Sequence, residues 1–359
     1  MRSSNNMSKE KIRGCLLGGA VGDALGAPVE FDSLEAIRQE HGPQGLLDYA
    51  PAYGRLGAIT DDTQMSLFTL EGLIRARVRE ATKGVSNAVS VVHHSYLRWL
   101  LTQHEPPAQG LKIGTDGWLF AVEGLHYRRA PGVTCIAALR ASTGFGDPRI
   151  AANNSKGCGG VMRVAPVGLI QGQLGSYQDV FALGADVAAL THGHPSGYLA
   201  AGYFALLIAA LTRGKKLERA IEIADRELAN RPGSQEVARS IRAARQLAAR
   251  GAPSPEDLQT LGAGWVAEEA LAIAVCCALT TDSFSHGVRM SVNHSGDSDS
   301  TGAMAGNLLG VMMGTDAIPP HWLDALELRE EITSLADDFY LLEAGAIRAE
   351  EMWERYPGW

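Results

Sequence analysis

The stretch Lys11 to Gly26 reads KIRGCLLGGAVGDALG, with Gly14, Gly18, Gly22 and Gly26 recurring at every fourth residue. On an α-helix that spacing strips one face of its side chains. Each glycine costs roughly 1 kcal/mol relative to alanine in a helix interior, so four in register need a compensating contact. Close approach of a second helix or of an active-site backbone would supply it. The same device returns far downstream at Gly302, Gly306 and Gly310. The two segments are therefore expected to be helices packed tightly together at the centre of the fold. The GGAVG portion has the wrong spacing for a dinucleotide fingerprint, and no predicted strand precedes it.

The second glycine helix is entered through NHSGDSDSTGAM, Asn293 to Met304, where Asp297 and Asp299 stand among Ser295, Ser298, Ser300 and Thr301. Two carboxylates so close repel each other unless a cation sits between them. The surrounding oxygens suit a hard divalent ion. A second pair, Asp61 and Asp62 in AITDDTQMS, is flanked by Thr60 and Thr63. Alone, such a pair reads as readily as an acidic helix cap. Together the two pairs suit one centre of two Mg²⁺ or Mn²⁺ ions sharing a bridging carboxylate, an arrangement used in hydrolysis. The ligand pattern of an EF-hand is absent, which argues against calcium.

Helical periodicity continues along the chain. Helices are expected from Asp62, as N-cap, to about Val78, then over 88–103, 134–142, 179–190, 195–211, 217–228, 235–249 and 266–279. One or two more follow in the tail from Pro319. Ala27 to Arg55, with Pro28, Pro43 and Pro51, is expected to be mostly loop, and Phe284 to Asn293 a link into the acidic loop. Strand signals are nearly absent. The expected fold is all-α: a polar extension over residues 1–11, then a single compact multi-helix domain over 12–359.

Composition agrees and excludes other classes. Of the 359 residues 46% are hydrophobic and 20% charged, which is that of a globular protein with a sizeable core. Aromatics are only 6% against 41 glycines, a balance favouring closely packed helices. A net charge of −8 argues against a broad nucleic-acid-binding face. The cysteines, Cys15, Cys135, Cys158, Cys276 and Cys277, are odd in number and lack CxxC spacing, so neither a disulfide framework nor a zinc site is indicated. A polar N-terminus without a signal-peptide core, and an apolar run, Leu199 to Leu211, too short to span a bilayer, lead to the expectation of a cytoplasmic protein with no membrane partner.

Three further places carry candidate chemistry. SKGCGG, Ser155 to Gly160, is a small-residue loop whose backbone N–H groups could hold a pyrophosphate, with Lys156 or Arg163 adding charge. An ordinary tight turn is the plain alternative. His192 and His194 flank Gly193 at a helix break, where capping or satisfied core histidines are more usual than ligands. Glu30, just past the first helix, would alone be an unremarkable loop acid.

In order, GCLLGGAVGDALGAPVEF, ITDDTQMSL, SKGCGGVMRVAPVGL, THGHPSGYLAAGYFA and SGDSDSTGAMAGNLLG resemble the motifs of the ADP-ribosylglycohydrolase family, over about Ile12 to Gly314. The resemblance implies an all-α fold and a binuclear Mg²⁺ or Mn²⁺ centre that removes ADP-ribose from modified protein side chains. It implies that Thr60, Asp61, Asp62, Asp297, Asp299 and Ser300 are metal ligands, Asp299 the bridge. Glu30, with Asp62 and Asp299 in the catalytic set, would be the acid near the scissile bond. Ser155, Gly157, Cys158, Gly159 and Gly160 would hold the diphosphate and distal ribose, and His192 would border the ribose pocket. Ser300 stands where many relatives carry Thr, and Cys158 where some carry Asn. The expected reaction is hydrolysis of the bond between ADP-ribose and arginine in a modified protein. The alternative is an immunity protein that neutralises an ADP-ribosylating toxin by hydrolysis or by occluding its active site.

Overall fold

The computed structural model describes residues 8–144, 151–170 and 176–358. Residues 1–7 of the polar extension and 145–150 of the loop preceding SKGCGG lie outside the described residues. Among the described residues there is no strand, only isolated bridges between Ala52 and Arg55 and between Gly157 and Val266.

The first half of the chain forms α1 (Lys9–Gly26), α2 (Leu34–His41), α3 (Asp61–Lys83), α4 (Ala88–Thr102), α5 (Val133–Arg140), α6 (Ala165–Gly168), α7 (Tyr177–Ala189) and α8 (Pro195–Thr212). The second half adds α9 (Leu217–Ala229), α10 (Gln235–Ala248), α11 (Pro255–Leu258), α12 (Ala267–Leu279), α13 (Phe284–Val292), α14 (Ser298–Met313), α15 (Pro320–Ala325) and α16 (Arg329–Glu343).

The glycine helices α1 and α14 are central and antiparallel. Gly14 faces Gly310, Gly18 faces Gly306, Gly22 faces Gly302, and Gly26 faces the backbone of Ser298. A Cβ on Gly306 would stand 2.0 Å from the Gly18 carbonyl oxygen, and one on Gly310 would stand 1.8 Å from that of Gly14. The helices thus meet backbone to backbone, which offsets the propensity cost of the glycines. Around this pair α3 packs on α4, α7 on α8, and α12 against α8, α10 and α14.

Local chemistry explains the ends. Thr60 caps α3, accepting from the Asp62 amide at 3.3 Å; Asp61 and Asp62 are therefore the first helical residues, and Asp62 is not itself the N-cap. Ser176 and Asp179 form a capping box on α7. Pro195 opens α8 behind the His194 cap. That helix, the one long and apolar enough to cross a membrane among the described residues, is 89% buried inside the fold. The amphipathic α9 and α10 bury Ile221, Leu228, Val237 and Ile241 and turn their charges outward.

Two expectations are corrected. Eight residues of the supposed loop after α1 are helix α2, started by the Ser33 side chain on the Ala36 amide. The supposed link before the acidic loop is helix α13, capped by Ser283 and burying Phe284 and Val288. Both are short, and their apolar faces become visible only against the neighbours they cover. The last three residues of the polar segment, Lys9 to Lys11, already belong to α1.

Candidate active site

The antiparallel crossing of α1 and α14 brings both ends of the chain to one place. Glu30 follows a 3₁₀ turn, Ala27–Val29, at the end of α1. Asp297 and Asp299 stand at the start of α14, and Asp61 and Asp62 at the start of α3. Carboxylate oxygens of Glu30, Asp297 and Asp299 lie within 4.8 Å of one another.

Each approach to the site is fixed from behind. Asp61 Oδ2 accepts from the Gly132 amide at 3.1 Å, and the Asp61 amide donates to the Arg129 carbonyl at 3.2 Å. Glu327 anchors that wall, pairing with Arg129 at 3.1 Å and accepting from the Ile59 amide at 3.1 Å. On the opposite side Gly296 turns the chain at φ 131°, where a Cβ would meet the Ala263 oxygen at 2.0 Å. Only glycine takes that conformation without strain, and it delivers the Asp297 amide to Ala263 O at 2.9 Å. The Ser300 amide donates to Asp299 Oδ1 at 2.9 Å. Ser295 Oγ accepts from the Leu34 amide at 2.9 Å, tying the segment after Glu30 to the acidic loop.

A sixth carboxylate escaped the sequence reading. Asp23, wholly buried on α1, accepts from the Thr60 amide, from Thr60 Oγ1 at 2.8 Å, and from both the amide and hydroxyl of Thr63. It locks the first turn of α3 onto α1. The available signal was that Asp23 is the lone charge between Gly14 and Pro28.

Six carboxylates in a dry site cannot all ionise unaided. Burial first, then the neighbouring charges of Asp299, Asp297, Asp61 and Asp23, pushes Glu30 up to about 10. Burial and Asp299 push Asp23 up to about 7. Asp61, Asp62 and Asp297 are driven well above the usual carboxylate range, chiefly by burial, and Asp299 is raised by burial as well. Glu30 Oε2 and Asp62 Oδ2 are buried oxygens without a hydrogen-bond partner. Acceptor oxygens left unsatisfied inside a crowd of like charge are what hard divalent cations take up, so the donor set fits such ions.

The small-residue loop lies across from the acids. Cys158 donates its thiol to Asp297 Oδ2 and its amide to the Trp265 carbonyl at 3.1 Å. Burial, then Asp297 and Asp62, raises that thiol well above its ordinary value, which disfavours the thiolate. Ser300 Oγ sits 3.6 Å from Cys158 Sγ. Ser155 turns inward, 3.1 Å from Thr134 Oγ1 and accepting from the Gly157 amide at 3.3 Å. The buried imidazole of His192 lies along Gly157, Gly159 and Gly160. His194 instead caps α8, accepting from the Ser196 amide at 3.1 Å. Lys156 and Arg163 do not add charge to the loop's ligand face. Lys156 is bound to Glu236 at 2.9 Å and to Glu268, and Arg163 is fully buried behind the loop.

The model of the family described as ADP-ribosylglycohydrolase matches residues 4–349. The ADP-ribosyl-[dinitrogen reductase] glycohydrolase of Rhodospirillum rubrum is 28% identical over 329 residues, 90% of this chain and 92% of that one. The ADP-ribosylarginine hydrolase Tri1 of Serratia proteamaculans is 24% identical, over 93% of this chain and 80% of that one. ADP-ribosylhydrolase ARH3 of Bos taurus is 25% identical over 93% of each chain. A solved structure titled ADP-ribosylglycohydrolase-related protein complex aligns with a TM-score of 0.67 at 26% identity, covering 93% of this chain and 98% of that one.

Proposed function

This chain belongs to the ADP-ribosylglycohydrolase family, and on that premise we propose that it hydrolyses the N-glycosidic bond between ADP-ribose and arginine in a modified protein. Hydrolysis of ADP-ribosyl linkages is the activity the family supports; the arginine linkage is the reading favoured by the names of the Rhodospirillum and Serratia relatives. The observation that carries the proposal is the convergence of six buried carboxylates with unsatisfied oxygens on Glu30 and Asp62.

Asp61, Asp62, Asp297 and Asp299, with Thr60 and Ser300, would hold two divalent cations, Mg²⁺ or Mn²⁺. When bound, these supply charge compensation and polarisation of ligand oxygens. The amides of Gly157 and Cys158 being engaged by Ser155 and Trp265, the backbone amides of Gly159 and Gly160 bind the diphosphate, and His192 borders the ribose. With the neighbouring aspartates neutralised, Glu30 ionises and accepts a proton from the water that attacks the anomeric carbon. The bond to the guanidine nitrogen breaks as an oxocarbenium-like centre develops, its electron pair leaves with the nitrogen, and that nitrogen takes up the proton Glu30 received. Protonated arginine and ADP-ribose are the products.

The test is release of free ADP-ribose from a protein ADP-ribosylated on arginine, with Mg²⁺, with Mn²⁺ and with EDTA. Cation-dependent release, lost in Asp299→Ala, supports the reading. Release only from a serine-linked or O-acetyl substrate would replace the linkage, and no release from any would sink the hydrolase. The relatives do not support the immunity-protein alternative.

A further inference from the structure

Arg163 is fully buried behind the glycine loop, and no carboxylate pairs with it among the described residues. Its guanidinium lies 4.3 Å from the centroid of the Tyr96 ring and donates to Thr191 Oγ1 at 2.7 Å. Its other contacts are weak: Val187 O at 3.4 Å and the sulfurs of Cys135 and Met65 at 3.3 and 3.4 Å. A buried cation so poorly compensated is costly to keep. Thr191 Oγ1 is also 2.8 Å from His192 Nδ1, and that chain of contacts leads to the site.

We infer that Arg163 and Thr191 are positioning residues that lock His192 in the tautomer with its proton on Nε2. The ring thereby presents a hydrogen-bond donor to an oxygen of the bound ADP-ribosyl group. A hydroxyl has one proton and two lone pairs, and a guanidinium only donates. Arg163 therefore occupies one lone pair of Thr191 and leaves two arrangements. The Thr191 proton goes to His192 Nδ1, or Nδ1–H donates to Thr191 while the hydroxyl turns to the Ala188 carbonyl. That carbonyl is 3.4 Å away and already accepts from the amides of Thr191 at 3.1 Å and His192 at 3.0 Å. Both keep the 2.8 Å contact, but only the second sends the hydroxyl proton to the long, already occupied Ala188 acceptor, so the first is favoured. The adjacent cation also polarises the hydroxyl toward donation. Burial, then Arg163, pushes the imidazole down to about 3, so it stays neutral.

The glycines fix where Nε2 points. A Cβ on Gly157 would stand 3.4 Å from His192 Nε2, on Gly159 3.2 Å from Cε1, and on Gly160 3.3 Å from Nδ1. The ring therefore lies flat along the loop with Nε2 toward Gly157. The ligand assigned to this donor rests on the hydrolase reading above; the tautomer does not.

The test is long-range ¹H–¹⁵N correlation on ligand-free protein carrying ¹⁵N-labelled histidine, with His192 assigned by its loss in His192→Gln. Protonated Nε2 and unprotonated Nδ1 are expected; the opposite tautomer overturns the inference. Thr191→Val is expected to populate the second tautomer and weaken ADP-ribose binding about tenfold, the scale of one hydrogen bond. Thr191→Ser is expected to restore both. A His192 spectrum unchanged in Thr191→Val overturns the lock, and an altered tautomer with unchanged affinity overturns the donor role. Wild type that fails to bind ADP-ribose would sink the hydrolase reading and the ligand assigned here, while the spectrum still decides the lock.

Discussion

Replacing Gly306 by alanine tests the central claim about the fold. The new Cβ would lie 2.0 Å from Gly18 O, 2.7 Å from Gly18 C and 3.2 Å from Gly19 N. All three are backbone atoms, so no side chain can swing aside. Reaching ordinary carbon–oxygen contact, about 3.4 Å, requires α14 to retreat from α1 by more than 1 Å. A gap of that size forfeits roughly a quarter to a half of the dispersion attraction of the atoms lining it. Overpacking alone costs about 1–3 kcal/mol, against a helix-propensity gain of roughly 1 kcal/mol. With the loosened pairs on either side added, the net loss is expected to be about 2–4 kcal/mol. Urea unfolding followed by tryptophan fluorescence measures it. Position along the helix separates stability from function. Gly310→Ala meets Gly14 O at 1.8 Å, but lies eleven residues beyond Asp299, about 16 Å along the axis. Gly302→Ala meets Gly22 O at 2.3 Å within one turn of Asp299. The three variants should lose comparable stability, while ADP-ribose release falls most in Gly302→Ala and least in Gly310→Ala. A Gly306→Ala protein that is as stable as wild type, or gains the propensity increment, would refute backbone-to-backbone packing.

Asp23→Ala removes the acceptor for two amides and two hydroxyls at the start of α3; a loss of about 2–4 kcal/mol and of at least tenfold in turnover is expected, read by urea unfolding and ADP-ribose release. Glu71 is buried between Arg75 and Arg98, with contacts of 2.9 and 2.7 Å. Burial would raise its carboxyl, but the two guanidinium groups outweigh burial and hold it below its ordinary value. Its contribution is therefore present above the unfolded-state value near 4.3 and lost as pH falls through the lower folded value. Glu71→Gln should cost about 3 kcal/mol at neutral pH by leaving buried Arg98 without a carboxylate, Arg75 keeping Asp116 at 3.1 Å, and should flatten the acid limb of a melting-temperature profile; an unchanged limb would contradict it. Saturating Mg²⁺ or Mn²⁺ should raise the melting temperature over EDTA, by about 2.7 kcal/mol for each site filled at a hundred times its dissociation constant. Asp297→Ala together with Asp61→Ala should abolish that rise, and a rise that survives both changes would place the ions elsewhere.

Much of this was legible because backbone chemistry leaves a strong trace in sequence. A glycine every fourth residue has few meanings on a helix, and pairing the two runs correctly foretold the contact of α1 with α14. The carboxylate pairs were legible for a similar reason: like charges adjacent or two residues apart require explanation. What stayed hidden depends on partners. Asp23 sits alone, and nothing in its neighbours reveals that four donors from Thr60 and Thr63 converge on it. The helix Phe284–Val292 read as a link because its buried residues find their partners on α1, α12 and α14. Lys156 and Arg163 looked like charge for the glycine loop, but their direction is set by Glu236, Glu268 and Thr191, which sequence spacing cannot locate.

The same glycines that shape the fold explain why the acids can be held so close. Pairing runs from Gly14 with Gly310 at one end to Gly26 with Ser298 at the other, so the helices are in backbone contact up to the residue before Asp299. Carboxylates placed by side-chain packing could relax apart under mutual repulsion. Here Asp23 is bound to the first turn of α3, and Asp299 follows a serine whose backbone abuts Gly26. Relief of the repulsion by separation would require moving whole helices, at the cost of every glycine contact along them. Without cations the repulsion is relieved by proton uptake instead, as the raised Glu30 and Asp23 show; the α1–α14 contact keeps the carboxyls close, so that entering cations find their oxygens already gathered. A loosened contact at Gly302 should accordingly weaken cation binding before it unfolds the protein.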